Sequence, residues 1–260
     1  MAPRRSSPRD PGPGRFQRQL LLKEVGQAGQ RRLAKACALV VGCGGLGASS
    51  ANLLARAGVG RLVLVDSDSV ELSNLHRQVL YDMIDLGRPK ARAAAERLKG
   101  IDPDINVRPV VRRVGEKELC GLLKGIDIVL DGTDSMASRR AVNKACCQAG
   151  VPWVYGGAAG TTGMAMLIVP RKTPCLECVF PRGRTGRPVP TKVIGVLGPI
   201  PDLVGSVQAT LAIRQLVGMA PASGLMVLDP WYGVWRMIRT ARRRDCPVCG
   251  RKPPTPKAGP

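Results

Sequence analysis

Histidine is nearly absent: the 260-residue chain has one, His76. A single imidazole removes most options for histidine catalysis, and no Ser/His/Asp hydrolase can be assembled convincingly. Aromatic residues make up only 3%, which argues against a nucleic-acid surface built from stacked rings, although a phosphate-seeking surface stays open. Acidic residues are also scarce, 19 against 40 Lys+Arg, so the formal charge is +21. No GxxxxGK[ST] loop occurs, which excludes a P-loop NTPase. The N-terminus, MAPRRSSPRDPGPG, lacks the apolar run of a secretory signal, and its prolines oppose an amphipathic transit helix. The expectation is a cytoplasmic, soluble protein with a disordered basic head at 1–14 and a basic tail at 251–260.

What is present is enough for a large core. Hydrophobic residues reach 44% and charged residues only 23%, which suits one large domain or two small ones. Two uncharged stretches, Ala36–Ala55 and Gly150–Pro170, approach the length of a membrane span, but Gly, Ser, Thr and Pro interrupt them, so they read as core strand–turn units. Nine cysteines, an odd number without a secretion signal, argue against a disulfide framework.

Along the chain, Arg15–Leu33 reads as a helical arm. Strand signals at Ala38–Val41, Arg61–Val65, Asn106–Val111, Ile126–Asp131 and Pro152–Tyr155 alternate with helical ones at Ala48–Ala57, Lys90–Leu98 and Ser138–Ala149. This rhythm predicts a Rossmann-like, doubly wound α/β fold with a mostly parallel sheet. Beyond Gly156 the alternating Met164–Val169 and two Cys-x-x-Cys knuckles replace it, which implies a β-rich C-terminal part of the same domain. Residues 181–201, dense in Pro, Gly and Arg, read as a mobile loop, and Leu203–Val217 returns to helix. The expected division is a nucleotide-binding half at about 34–156 and a second half at about 157–250, within one domain spanning 15–250.

Gly42-x-Gly44-x-x-Gly47 follows a strand and opens a helix, and Asp66 lies 19 positions after the last glycine. Such glycines let the backbone approach a phosphate at a helix N-terminus, while the acidic residue can accept from ribose hydroxyls; close helix–strand packing alone is the other reading. Asn74, Arg77 and Lys90 follow downstream. Singly Arg77 and Lys90 read as solvated charges, but two cations and an amide together suit a triphosphate whose charge moves during reaction. Asp134, beyond the strand ending at Asp131, stands where a metal-binding carboxylate is expected. Cys175, Cys178, Cys246 and Cys249 form the knuckles CLEC and CPVC, 67 residues apart. That gap exceeds zinc-ribbon spacing, yet four thiolates in two pairs match a closed structural Zn²⁺ site; two unrelated turns with free thiols are the alternative. The remaining cysteines, Cys37, Cys43, Cys120, Cys146 and Cys147, are expected to be buried.

In order, RFQRQ, GCGGLG, GVGRLVLVDSDSVELSNLHRQVLY, GRPKA, LDGTDS, CLEC, GVLGP, GSVQA and CPVC resemble the MoeB/ThiF/HesA family over about residues 15–250. The resemblance implies an adenylyltransferase acting on small ubiquitin-like sulfur carriers, with ATP and Mg²⁺. By the same resemblance, Gly44, Gly45, Asp66, Asp68, Ser73, Asn74, Leu75, His76, Gln78 and Ser135 would surround the nucleotide. Asn74, Arg77 and Lys90 would contact the phosphates, and Asp134 would hold Mg²⁺. Arg18 resembles the arginine that such proteins insert into a partner subunit's site, which implies a homodimer. His76 itself reads as a bystander.

Two departures from the family pattern stand out. Thr191 occupies the place four residues before GVLGP where members that proceed to a covalent sulfur step carry cysteine. This favours adenylation only, with an external sulfur donor. Ser135 replaces the usual Asn after Asp134. The carrier's identity is not legible; its Gly-Gly end and usual acidity fit a basic docking face. The competing functions are an NAD(P)-binding oxidoreductase and a zinc-stabilised nucleic-acid-binding protein, the latter motivated by the net charge and the arginines at 242–244.

Overall fold

A computed structural model describes residues 14–183, 194–221 and 223–250. Thr191, the head up to residue 13 and the tail lie outside them. Eight strands form one sheet in the order β3-β2-β1-β4-β5-β6-β7-β8. β1 (Cys37–Val41), β2 (Arg61–Val65), β3 (Asn106–Val110), β4 (Ile128–Asp131) and β5 (Trp153–Ala159) are mutually parallel. β6 (Thr162–Ile168), β7 (Leu225–Asp229) and β8 (Val234–Ile238) continue it antiparallel. β1 and β4 are buried along their whole length, so CALVV and IVLD lack the alternation of a half-wet strand.

Helices cover both faces of the parallel part. On one side α3 (Gly45–Arg56), α4 (Lys90–Ile101) and α8 (Pro199–Leu216) enclose Leu39's neighbours Ala38 and Val40 together with Leu54, Leu64, Leu98 and Leu130. On the other, α5 (Glu116–Leu122), α6 (Met136–Ala149) and α7 (Leu176–Val179) pack over Leu39, Val129, Trp153 and Ile168. The 3₁₀ turns Leu72–Asn74 and Met83–Asp85 carry the chain from β2 to α4.

The arm is two helices, α1 (Gln17–Leu20) and α2 (Gly26–Lys35), instead of one over Arg15–Leu33. Leu22 O accepts from both Val25 N and Gly26 N, and Gly26 has φ of +50°, so the chain turns there before the second helix starts. Of the loop expected over 181–201, residues 184–193 lie outside the described residues, and regular structure returns before its expected C-terminal end. Val196 bridges Gly160, and α8 begins at Pro199, a residue suited to the first helical turn. The 157–250 half holds two strands that sequence reading did not anticipate, β7 and β8, joined through a 3₁₀ turn closed by Gly233 at φ +68°. The boundary at 156 falls within β5. Among the described residues no helix is long and apolar enough to cross a membrane.

Candidate functional site

The carboxyl ends of β1, β2 and β4 open into a cavity of about 740 Å³. Its floor is the glycine loop. Gly42 adopts φ of +89°, and its carbonyl oxygen would lie 1.8 Å from a Cβ on Gly47 and 2.1 Å from one on Gly132. Both neighbours must therefore be glycine for the β1–α3 and β4–α6 turns to meet. The backbone beyond stays bare, with Gly44 at the N-cap of α3 and Gly44 and Gly45 lining the cavity. Free N–H groups and the helix dipole favour an anion there.

Asp66 braces this loop. One carboxylate oxygen accepts from Cys43 N at 2.6 Å and the other from Asp68 N at 2.8 Å. Burial pushes its carboxyl up from the usual range, opposed by these two amides and by Lys90. Lys90, the first residue of α4, is buried and places Nζ 3.6 Å from Asp68 Oδ2. Tyr81 Oη lies 2.8 Å from Cys43 O and 3.3 Å from Lys90 O, which ties the loop to α4.

In the first 3₁₀ turn, Asn74 Oδ1 accepts from Glu71 N at 3.2 Å. Arg77 Nη1 donates to Ser73 O at 2.8 Å, and His76 Nδ1 lies 3.1 Å from the same carbonyl. Gln78 is buried with an unpartnered Oε1 on the cavity wall. Asp134 lines the opposite wall, exposed, and makes no hydrogen bond or ion pair among the described residues.

The cavity thus gathers Gly44, Gly45, Asp66, Asp68, Ser73, Asn74, His76, Arg77, Gln78, Lys90 and Asp134. Leu75 and Ser135 do not line it. Leu75 packs against the apolar core, and Ser135 Oγ accepts from Ser138 N at 3.1 Å to cap α6, the capping role its hydroxyl fills more readily than a nucleotide contact. Arg18 lies on α1, outside the cavity and exposed. Sequence reading missed three cations on the wall, Arg112, Arg113 and Arg139. Arg139 lies five positions after Asp134, in the first turn of α6, close enough in sequence to have been considered with it.

On the other face the four knuckle sulfurs lie within 4.8 Å of one another. Neighbouring separations are 3.9 Å for Cys175–Cys178, 3.6 Å for Cys175–Cys246 and 3.4 Å for Cys178–Cys249. A tetrahedron of sulfurs about 2.3 Å from zinc has edges of about 3.8 Å, so the set fits that ion. Contact with Cys175 and burial push the Cys178 thiol up to about 12; a bound dication would reverse this and hold thiolates. Arg140 pairs with Glu177 at 3.2 Å and Asn143 Oδ1 accepts from Leu176 N at 3.0 Å, joining the first knuckle to α6. Of the other cysteines, Cys37, Cys43 and Cys146 are buried, but Cys120 is exposed and Cys147 half-buried. Cys120 follows Leu119, which takes the inward position of short α5, and so points to solvent.

A doubly wound sheet with a phosphate cradle at its switch edge and a tetrathiol clasp on its flank defines a nucleotide-binding α/β protein. The ThiF family model matches residues 16–248, and the chain belongs to that family. It is 40% identical to the SAMP-activating enzyme E1 of Haloferax volcanii, over 91% of this chain and 88% of that one. It is 37% identical to the sulfur carrier protein ThiS adenylyltransferase of Escherichia coli, over 91% and 94%. Identity to the mouse adenylyltransferase and sulfurtransferase MOCS3 is 43%, but the chain spans only 53% of that protein. Among solved structures, E. coli MccB with ATP shares the fold at a TM-score of 0.79 and 24% identity, over 91% of this chain and 74% of that one.

Proposed function

We propose that the protein adenylates the C-terminal glycine of a small ubiquitin-like sulfur carrier at the expense of ATP, releasing pyrophosphate. The observation that carries this is the single cavity in which the bare glycine loop, Asp66, Arg77, Lys90 and Asp134 converge at the carboxyl ends of the parallel strands. The names of the full-length relatives in Haloferax and E. coli support the same reaction class.

In this reading Asp66 has one unshared lone-pair direction on each oxygen for the ribose, and the glycine loop receives phosphate oxygens. Arg77 and Lys90 neutralise the triphosphate and the departing pyrophosphate. The nucleophile is a carboxylate with an ordinary pKa of about 3.5, already ionised at neutral pH, so no general base is required. This agrees with a chain holding one histidine, here exposed beside Ser73. Asp134 is a hard oxygen donor on the cavity wall, unpaired among the described residues, which fits Mg²⁺; that ion would draw charge from the phosphate oxygens when bound. The chain's own task is positioning and charge neutralisation at the α-phosphorus.

The carrier's globular part is assigned to the outer edge of the sheet. Three of the eight aromatic side chains, Trp231, Tyr232 and Trp235, are 66%, 75% and 57% exposed there, with Met237 and Ile238 beside them on β8. An apolar cluster of this kind marks a protein interface. Homodimer formation is supported by the arm. Arg15 pairs with Asp102 at 3.2 Å and Gln19 donates to Gln30 at 2.6 Å, which fixes α1 while Arg18, Leu21 and Leu22 face outward. Zn²⁺ in the tetrathiol clasp and adenylation without a covalent sulfur step, as Thr191 implies, complete the reading, with sulfur coming from another protein.

ATP–pyrophosphate exchange against a panel of Gly-Gly-ended carriers tests the reaction. Exchange with none of them, by zinc-loaded protein, would sink it. Mass analysis under non-reducing conditions after turnover tests the adenylation-only detail; a carrier-sized adduct on the enzyme, removed by dithiothreitol, would refute it.

A further inference from the structure

The turn that carries Asp134 is held with unusual completeness by groups that the reaction itself does not call on. Asp131 ends β4 with no exposure, and its Oδ1 accepts from Thr133 N at 3.0 Å and Thr133 Oγ1 at 2.7 Å. Its Oδ2 accepts from Arg139 Nε at 3.2 Å. Arg139 Nη2 then reaches back to donate to Thr133 O at 2.9 Å. Gly132, between them, donates to Val41 O at 2.8 Å and is pressed against Gly42. Every polar group of Thr133 is thereby engaged.

Arg139 is itself constrained. Its backbone N donates to Ser135 O at 3.1 Å in the first turn of α6, and its guanidinium carbon lies 5.4 Å from the centre of the Tyr155 ring. Only 11% of the side chain is exposed, yet it lines the cavity with Asp134. A buried ion pair is weak evidence for stability, because desolvation offsets attraction. What this pair does is geometric.

We propose that Arg139 is a positioning residue whose two-pronged bond to Asp131 and to the Thr133 carbonyl fixes the plane of the Thr133–Asp134 peptide, and so aims the Asp134 carboxylate at the cation that accompanies the nucleotide. The inference rests on the adenylation reading, in which Asp134 is that carboxylate. Because a peptide unit is planar, holding the carbonyl oxygen of Thr133 also holds the N and Cα of Asp134. Among the described residues the Asp134 side chain has no bond of its own, so its aim depends on that plane. A lysine could keep the charge opposite Asp131 but cannot present two parallel N–H groups to different acceptors.

Arg139→Lys is therefore the informative variant, with Arg139→Gln beside it and Asp134→Ala as reference. Mn²⁺ binding to the protein complexed with α,β-methylene-ATP is followed by electron paramagnetic resonance, and metal-free affinity for the same nucleotide by calorimetry. The expected result is a melting temperature close to wild type for Arg139→Lys and unchanged metal-free nucleotide affinity. Mn²⁺ affinity should fall roughly 10–100-fold, as for other groups that orient a metal ligand. At saturating nucleotide, kcat for pyrophosphate exchange should fall and KM for ATP should hold.

Wild-type Mn²⁺ affinity in folded Arg139→Lys, with Asp134→Ala showing the loss, overturns this proposal and leaves the adenylation reading intact. Weakened metal-free nucleotide binding would also overturn it, since Arg139 would then contact the nucleotide directly. If Asp134→Ala binds Mn²⁺ as wild type does, the assignment of Asp134 falls, and this inference with it.

Discussion

The two ends of the one sheet meet the demand for burial in different ways. From β3 to β5 the strands run parallel, helices cover both faces, and Leu, Val and Ile fill the strands. All those strands finish at the same edge, so the turns that follow β1, β2 and β4 face one another and concentrate polar groups in a single cavity. From β6 to β8 the strands alternate in direction, and no such common edge exists. Helix α8 covers one face near β6, whereas β8 is largely exposed, and the second face is closed by four cysteines. The parallel end is organised to hold a small, highly charged molecule. The antiparallel end offers an apolar surface and, among the described residues, a strand with one edge free, which suits another folded chain.

The largest expected effect lies at the parallel end. Asp134→Ala should lower carrier-dependent pyrophosphate exchange by about 10²–10³-fold, the cost typical of removing one group that stabilises transition-state charge. Its side chain is exposed, so the melting temperature should not move. Exchange at the wild-type rate would reject the role. At the antiparallel end the matching experiment is removal of zinc. Cys246→Ser should abolish retention of one zinc per chain, measured by plasma mass spectrometry, and should lower the melting temperature by about 10 °C, corresponding to the loss of a few kcal/mol in a chain of this size. Hydrogen exchange should accelerate in β6–β8 while β1 and β4 stay protected. Uniform acceleration across the sheet would mean that the two ends do not differ in what holds them.

The parallel end was also the more legible in sequence. Fully buried strands such as CALVV and IVLD, each followed by glycine and a helix, announce themselves through continuous apolar runs, and the cavity residues cluster just after them. The glycine loop, Asp66, Asn74, Arg77, Lys90 and Asp134 all reach one cavity for that reason. Arg139 was missed because its partners, Asp131 and the Thr133 carbonyl, come within reach of its side chain only once the first turn of α6 has formed beyond the end of β4. Leu75 and Ser135 stand outside the cavity because adjacency in a motif does not say which way a side chain turns. β7 and β8 escaped notice because LMVLD and VWRMI are short and half-exposed. Their signal is the pair flanking the turn DPWYG, where Asp229 accepts from Tyr232 N at 3.4 Å and Gly233 takes a positive φ.

A smaller effect should separate the ends kinetically. Trp235 lies opposite Leu228 on the outward continuation of the face that α8 covers. If a carrier docks there, Trp235→Ala should raise KM for the carrier roughly tenfold, the scale of a single interfacial tryptophan, and leave nucleotide affinity unchanged. An unchanged carrier KM would move the docking surface elsewhere.

The smallest signal, a fractional recovery of activity, asks whether the parallel end is complete within one subunit. Arg18 stands on an arm pinned by Arg15–Asp102 and Gln19–Gln30, outside its own cavity and directed to solvent. Arg18 lines no part of its own cavity, and the homodimer proposal has it serve a neighbour's. Arg18→Ala and Lys90→Ala proteins should each be inactive in exchange. Mixed in equal amounts and allowed to reassort, half the dimers are hybrids, and in each hybrid one cavity receives both an intact Lys90 and the partner's intact Arg18. Activity should then return to roughly a quarter of wild type, since one site in four is whole. No recovery, with hybrids demonstrated by native mass spectrometry, would show that Arg18 acts within its own chain or not at all, and would leave the parallel end self-sufficient.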